Sequence, residues 1–148
     1  MSNNFYKSVL DTSNETTQAL ETSALVNLGT TNIKNGCSIS YVDNNTTINI
    51  VKRGIYYMLV SLTGFMTTTA GLVSAQIYRK GVAMDGAKGS FNSTTTADVN
   101  TITIGTLIEV NDVCRCCGTG SASIPITVVN TGVPATHTNV KVVLYKLA

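Results

Sequence analysis

The sequence predicts an all-β domain, and three observations carry that expectation. The 148 residues include 23 Thr, 14 Asn and 12 Ser, while good helix formers are sparse and β-branched residues dominate. Apolar residues come in short runs, not at sustained helical spacing. Gly, Asn and Asp punctuate nearly every gap between those runs. The length suits one domain. With 43% hydrophobic residues and a net charge of +2, the chain is not expected to be disordered. No cluster of Lys and Arg suggests nucleic acid as a partner. The most apolar window, Ile55–Met66, falls short of the ~20 residues that cross a bilayer as a helix, so no membrane partner is expected.

The elements follow in chain order. Phe5, Tyr6, Val9 and Leu10 stand at i, i+3, i+4 spacings before the polar stretch Asp11–Thr22. This start reads either as a short amphipathic helix or as an extended arm docking elsewhere. Residues 1–23 are therefore set apart as an arm or anchor from a domain over 24–148. Within that domain, strands are expected at Ile39–Val42, Thr47–Val51, Ile55–Thr63, Leu72–Arg79, Thr101–Glu109, Val113–Cys117, Ile124–Asn130 and Val140–Leu147. Asp43-Asn44-Asn45 and Lys52-Arg53-Gly54 supply turns, and Gly81–Gly89 reads as a flexible connection. Short strands at this spacing imply a β-sandwich or barrel.

Two strands are apolar on both faces. In Ile55–Thr63 one face holds Tyr56, Met58, Val60 and Leu62, and the other holds Ile55, Tyr57 and Leu59 before Ser61 and Thr63. Val140, Val142 and Leu144 likewise oppose Val143, Tyr145 and Leu147. A sandwich strand with one wet face alternates apolar with polar. With almost no helix to cover the second face, homo-oligomerisation is the expected cover.

The chemistry-bearing residues are few. His137 is the single His, and a solvated or interface position is expected for it. No Ser/His/Asp or Cys/His grouping and no close carboxylate pair emerges, so no enzyme, cofactor or metal is expected. Asp112 is expected to shape its turn. Cys114-Arg115-Cys116-Cys117 lacks paired-knuckle spacing. These three cysteines and Cys37 read as buried reduced thiols; a disulfide to Cys37 and a metal shared between subunits are the alternatives. MSNNFYKSVL lacks the basic and apolar regions of a secretory signal. Synthesis in the cytoplasm is therefore expected, and the Asn-x-Ser/Thr matches read as products of composition.

A family resemblance emerges from these residues. Gly54-Ile55-Tyr56-Tyr57-Met58 resembles the Gly-x-Tyr-x-Phe signature of the C1q/TNF-like jelly roll, with Met in the Phe position. Leu107–Cys114 resembles the family's strand, Gly-Asp turn and following strand, with Asn111 in place of Gly. Val140–Ala148 ends the chain on an apolar strand, as the family does. Thr46–Tyr57 and Ser74–Val82 are similar to C-terminal domains of spore-surface proteins of the BclA type. The resemblance spans Leu25 to Ala148. It implies a jelly-roll β-sandwich forming a homotrimer, with Tyr56, Met58, Val60 and Leu62 inside the subunit. Ile55, Tyr57, Leu59, Arg115, Cys117, Val143 and Tyr145 would then be trimer-interface residues. Cys114 and Cys116 would match apolar core positions.

A trimer without a signal peptide or a Gly-x-y stem suits a bacteriophage virion component, made in the host cytoplasm and displayed on the capsid exterior. The expected role is a capsid decoration or head-fibre protein whose partner is the major capsid protein. Phe5, Tyr6, Val9 and Leu10 would anchor its arms there. The alternative is the host-surface-binding tip of a phage fibre, using loops at Thr67–Gly71, Asp85–Thr96 and Gly118–Ser123, where Phe91 is the only aromatic.

Overall fold

The computed structural model describes residues 7–67, 70–113 and 123–148. Among them are eleven strands and no helix: β1 (Val9–Asn14), β2 (Gln18–Leu20), β3 (Thr30–Asn35), β4 (Ile39–Ser40), β5 (Thr47–Ile50), β6 (Gly54–Met66), β7 (Gly71–Arg79), β8 (Val82–Ser93), β9 (Asn100–Val110), β10 (Ile124–Asn130) and β11 (Ala135–Lys146). They form two antiparallel sheets. The first runs β3-β1-β11-β6-β9, with β2 continuing the β1 edge of β11. The second runs β4-β5-β10-β7-β8.

Strict alternation builds the core between them. Tyr56, Met58, Val60 and Leu62 of β6 are fully buried, as are Val140, Val142 and Leu144 of β11. They face a second layer that includes Ile48, Ile50, Ile77, Ile124, Ile126 and Val128. Period-two patterning sends each of these inward while its neighbours point out. The central strand β6 is paired along most of its length with β11 on one side and β9 on the other.

The start of the chain differs from the expectation. Residues 9–14 are neither a helix nor a projecting arm: they are β1, inserted between β3 and β11 in register from Val9↔Tyr145 to Asn14↔Val140. Leu10 and Thr12 face the core with no exposure. Residues 18–20 then join β11 as β2. The Asn130 amide clamps this segment by donating to the carbonyls of Leu20 (3.2 Å) and Glu21 (3.1 Å). A boundary between residues 23 and 24 therefore cuts through the sandwich. The spacing of Phe5, Tyr6, Val9 and Leu10 suggested a helix, but Leu10 and Thr12 already alternate with Val9 and Asp11, and two strand neighbours decide the outcome.

Gly81–Gly89 is likewise no flexible connection. Lys80 (φ 53°) and Gly81 (φ 76°) form a two-residue turn between the paired Arg79 and Val82, the left-handed geometry that suits a tight hairpin. The residues that follow form β8. The last strand also begins earlier than Val140, because an irregularity between His137 and Asn139 interrupts the apolar alternation. The Val113–Cys117 strand lies largely outside the described residues.

Gly54 explains the glycine of the Gly-x-Tyr pattern. It sits at φ 150°, and an added Cβ would lie 2.3 Å from the Ala148 carbonyl oxygen. Ile55 N–H donates to that same carbonyl at 2.9 Å. Only a residue without a side chain lets the C-terminus close over the start of β6.

Candidate functional site

The candidate site is the outer face of the first sheet. Because β6 and β11 carry apolar residues at both parities, each strand fills the core and still presents apolar side chains outward. Register aligns these side chains in rows across the sheet. One row runs Val9, Tyr145, Tyr57 and Leu107, and the next runs Ile33, Asp11, Val143, Leu59 and Gly105. Tyr57 and Tyr145 meet with ring centroids 5.5 Å apart and planes tilted by 52°, a favourable aromatic geometry. Gly105 leaves room for Tyr57: a Cβ there would lie 2.7 Å from the phenol oxygen.

The face is apolar at one end and polar at the other. Ile33, Ile55, Leu59, Leu107, Tyr145 and Leu147 are 36–60% exposed, and together they form the apolar end. Toward the far ends of β6 and β9 it becomes Ser61, Thr63, Thr101 and Thr103, with the Thr63 and Thr101 hydroxyls hydrogen-bonded at 2.9 Å. The Lys141–Asp11 ion pair lies between these regions, and Asn32 Nδ2 also donates to Asp11 at 3.3 Å. Exposed apolar side chains gathered on one sheet face make it a candidate interaction surface.

The structure brings Ile55, Tyr57, Leu59, Val143 and Tyr145 together on this face. Arg115 and Cys117 lie outside the described residues, as do Cys114, Cys116, Phe5 and Tyr6. Val9 belongs to the same apolar row, and Leu10 is buried in the chain's own core, so it is not an exposed capsid anchor. Sequence reasoning missed Leu107, the one large apolar residue on the otherwise polar parity of Thr101–Glu109. It also missed Ile33, on a strand too polar to be read as one.

Other singled-out residues have different surroundings. Cys37 is exposed, not a buried hydrophobe. Lys52 Nζ donates to its Sγ at 2.7 Å, and this hydrogen bond and the lysine charge lower the thiol pKa. Asp112 joins two connections by pairing with Arg79 (2.6 Å) and Lys80 (3.2 Å). Burial acts to raise its carboxyl pKa, but the Lys80 hydrogen bond, its own backbone N–H and the two cationic charges hold it low. His137 is not solvated but 1% exposed, and burial lowers its pKa. Phe91, the aromatic of the expected binding loops, packs partly buried against the core. Among the described residues no group of three or more His, Cys, Asp or Glu could hold a metal ion.

No family model and no curated protein matches the sequence. Solved structures do match. Murine APRIL at pH 5.0 aligns with a TM-score of 0.67 at 11% identity, over 95% of this chain and 99% of that one. The globular domain of zebrafish complement 1qA aligns at 0.61 and 8%, over 95% of each chain. PRD1 vertex protein P5 aligns at 0.58 and 14%, over 95% of this chain and 97% of that one. At such identities the likeness is one of fold. The two-sheet sandwich is a TNF/C1q-like jelly roll.

Proposed function

We propose that this chain is a non-catalytic structural protein of a bacteriophage virion, working as a homotrimer on the capsid exterior. The observation that carries the reading is the apolar outer face of the β3-β1-β11-β6-β9 sheet. Exposed aliphatic and aromatic side chains aligned across four strands are costly in water. Completing the burial of the six exposed side chains contributes roughly 1 kcal/mol each, so several copies in contact can offset an association cost of about 4–15 kcal/mol. A cyclic assembly covers this face in every copy. The resemblance stated above supplies the number three.

The virion assignment is supported by the fold shared with PRD1 vertex protein P5. Attachment through Val9 and Leu10 is not part of this proposal, because β1 commits Leu10 to the core and Val9 to the outer-face row beside Tyr145. A decoration role therefore relies on another surface of the trimer.

Light scattering of the purified chain at micromolar concentration tests the assembly: a mass three times 15.6 kDa is expected, and a monomer overturns it. Immunogold labelling of intact particles tests the location. Label over the capsid is expected, label at a fibre tip replaces decoration by host binding, and unlabelled particles refute a virion role.

A further inference from the structure

His137 is the chain's single histidine, and it lies inside the sandwich near the start of β11. It pairs with Gly64 of β6 on one side and with Gln18 of β2 on the other. Gly64 provides the space: a Cβ there would lie 2.6 Å from the imidazole Nδ1. Among the described residues neither Nδ1 nor Nε2 has a hydrogen-bond partner. A neutral imidazole already leaves a donor and an acceptor unmade here, and an imidazolium would add an unpaired charge.

Among the described residues, no charged group on the elements around His137 offsets that charge. β6 from Thr63 to Met66, β2 and the neighbouring β9 residues Asn100–Thr103 contain nothing titratable. In the opposite sheet, Gly71–Ala75 and Val128–Asn130 contain nothing titratable either. Glu15 and Glu21 flank β2 and are exposed. Asp11 of β1 pairs with Lys141. Burial lowers the ring's pKa and so favours the neutral form.

The two strands beside His137 are held very differently. β6 is paired from Gly54 to Gly64 with β9 and from Tyr56 to Met66 with β11. β2 has three pairs, Gln18↔His137, Ala19↔Thr136 and Leu20↔Ala135. Side-chain bonds from Gln18 to Asn27 and from Asn130 to Leu20 and Glu21 add to these. Just beyond β2 the Thr22 hydroxyl donates to the Gly132 carbonyl at 2.8 Å and Ser23 N–H to the Asn130 carbonyl at 2.7 Å. Leu20 packs partly buried against the core. Of the two strands beside His137, β2 is therefore the less costly to lift.

We propose that His137 is an acid-sensitive latch for residues 15–23, whose protonation frees β2 from the edge of β11 while the two sheets stay intact. The sign follows from the lowered folded-state affinity for a proton. The latch is at full strength above the unfolded-state value of about 6.5. It weakens as pH falls below that value toward the lower folded-state one.

Hydrogen exchange of the full chain, corrected for intrinsic rates, tests this between pH 7.5 and 5.0. Protection of residues 15–23 is expected to fall by up to about tenfold per pH unit below 6, while β6 and β9 keep theirs. H137Q should remove the pH dependence. An unchanged 15–23 segment in the native chain, or the same response in H137Q, overturns the proposal. Should H137Q not fold, the single imidazole proton resonance of the native chain decides. A midpoint below 6.5 that coincides with the loss of protection supports the latch, and any other midpoint refutes it.

Discussion

At the residue scale, the Gly-x-Tyr pattern has a local cause at each position. Gly54 admits the C-terminal carbonyl, and Tyr56 fills the core while its hydroxyl donates to the Lys52 carbonyl at 2.7 Å. Gly54→Ala should lower stability by about 1–3 kcal/mol, from backbone strain at positive φ as well as the clash, and thermal unfolding measures it. Cys37 carries a second prediction. Its thiol is exposed and its ionisation is favoured by Lys52, so at pH 7 it should alkylate several-fold faster than an unperturbed cysteine. Lys52→Met should abolish the difference, as read by mass spectrometry of the Cys37 peptide. Equal rates in both chains would show that the contact does not activate the thiol. The Gly-x-Tyr pattern was legible in the sequence, but the Cys37 contact was not, because Cys37 and Lys52 meet only when the β3–β4 and β5–β6 connections are brought side by side.

At the element scale, β1 separates what patterning reveals from what it hides. Residues 9–14 contain too few apolar side chains to announce a buried strand, yet Leu10 is as buried as any residue of β6. Leu10→Ala should cost about 2–5 kcal/mol through the cavity it leaves, measured by denaturant unfolding. A chain beginning at Ala24 would lack β1 and β2 and strip the covering edge from β11. It should fail to fold, and a cooperative, native-like unfolding transition in that chain would show that β1 is dispensable. Strands with full alternation, such as β5, β6 and β9, were legible because one face is core. β3 and β8 were not, because they are edge strands with mostly exposed, polar or small side chains.

At the scale of the whole molecule, the two-faced strands connect fold to assembly. β6 and β11 lie side by side, so their outward residues merge into one surface instead of two isolated stripes. Tyr57 and Leu59 stand near its centre, between Val143 and Tyr145 on one side and Gly105 and Leu107 on the other. Under the proposed trimer, Leu59→Asp combined with Tyr57→Ser should yield monomers that keep native β-sheet circular dichroism, since neither side chain enters the core. A variant that remains trimeric would move the interface to another face.

The sequence by itself determined the all-β class, the grouping of Tyr56, Met58, Val60 and Leu62 on one face of β6 and the presence of a second apolar face on β6 and β11. Each of these follows from period-two alternation, which is written in neighbouring residues. Tertiary structure alone decided that the first two dozen residues include two strands of the sandwich, that Cys37 is exposed beside Lys52, and that His137 is buried under Gly64. These depend on which strands become neighbours, and sheet order is set by contacts between residues as far apart in the chain as Val9 and Tyr145.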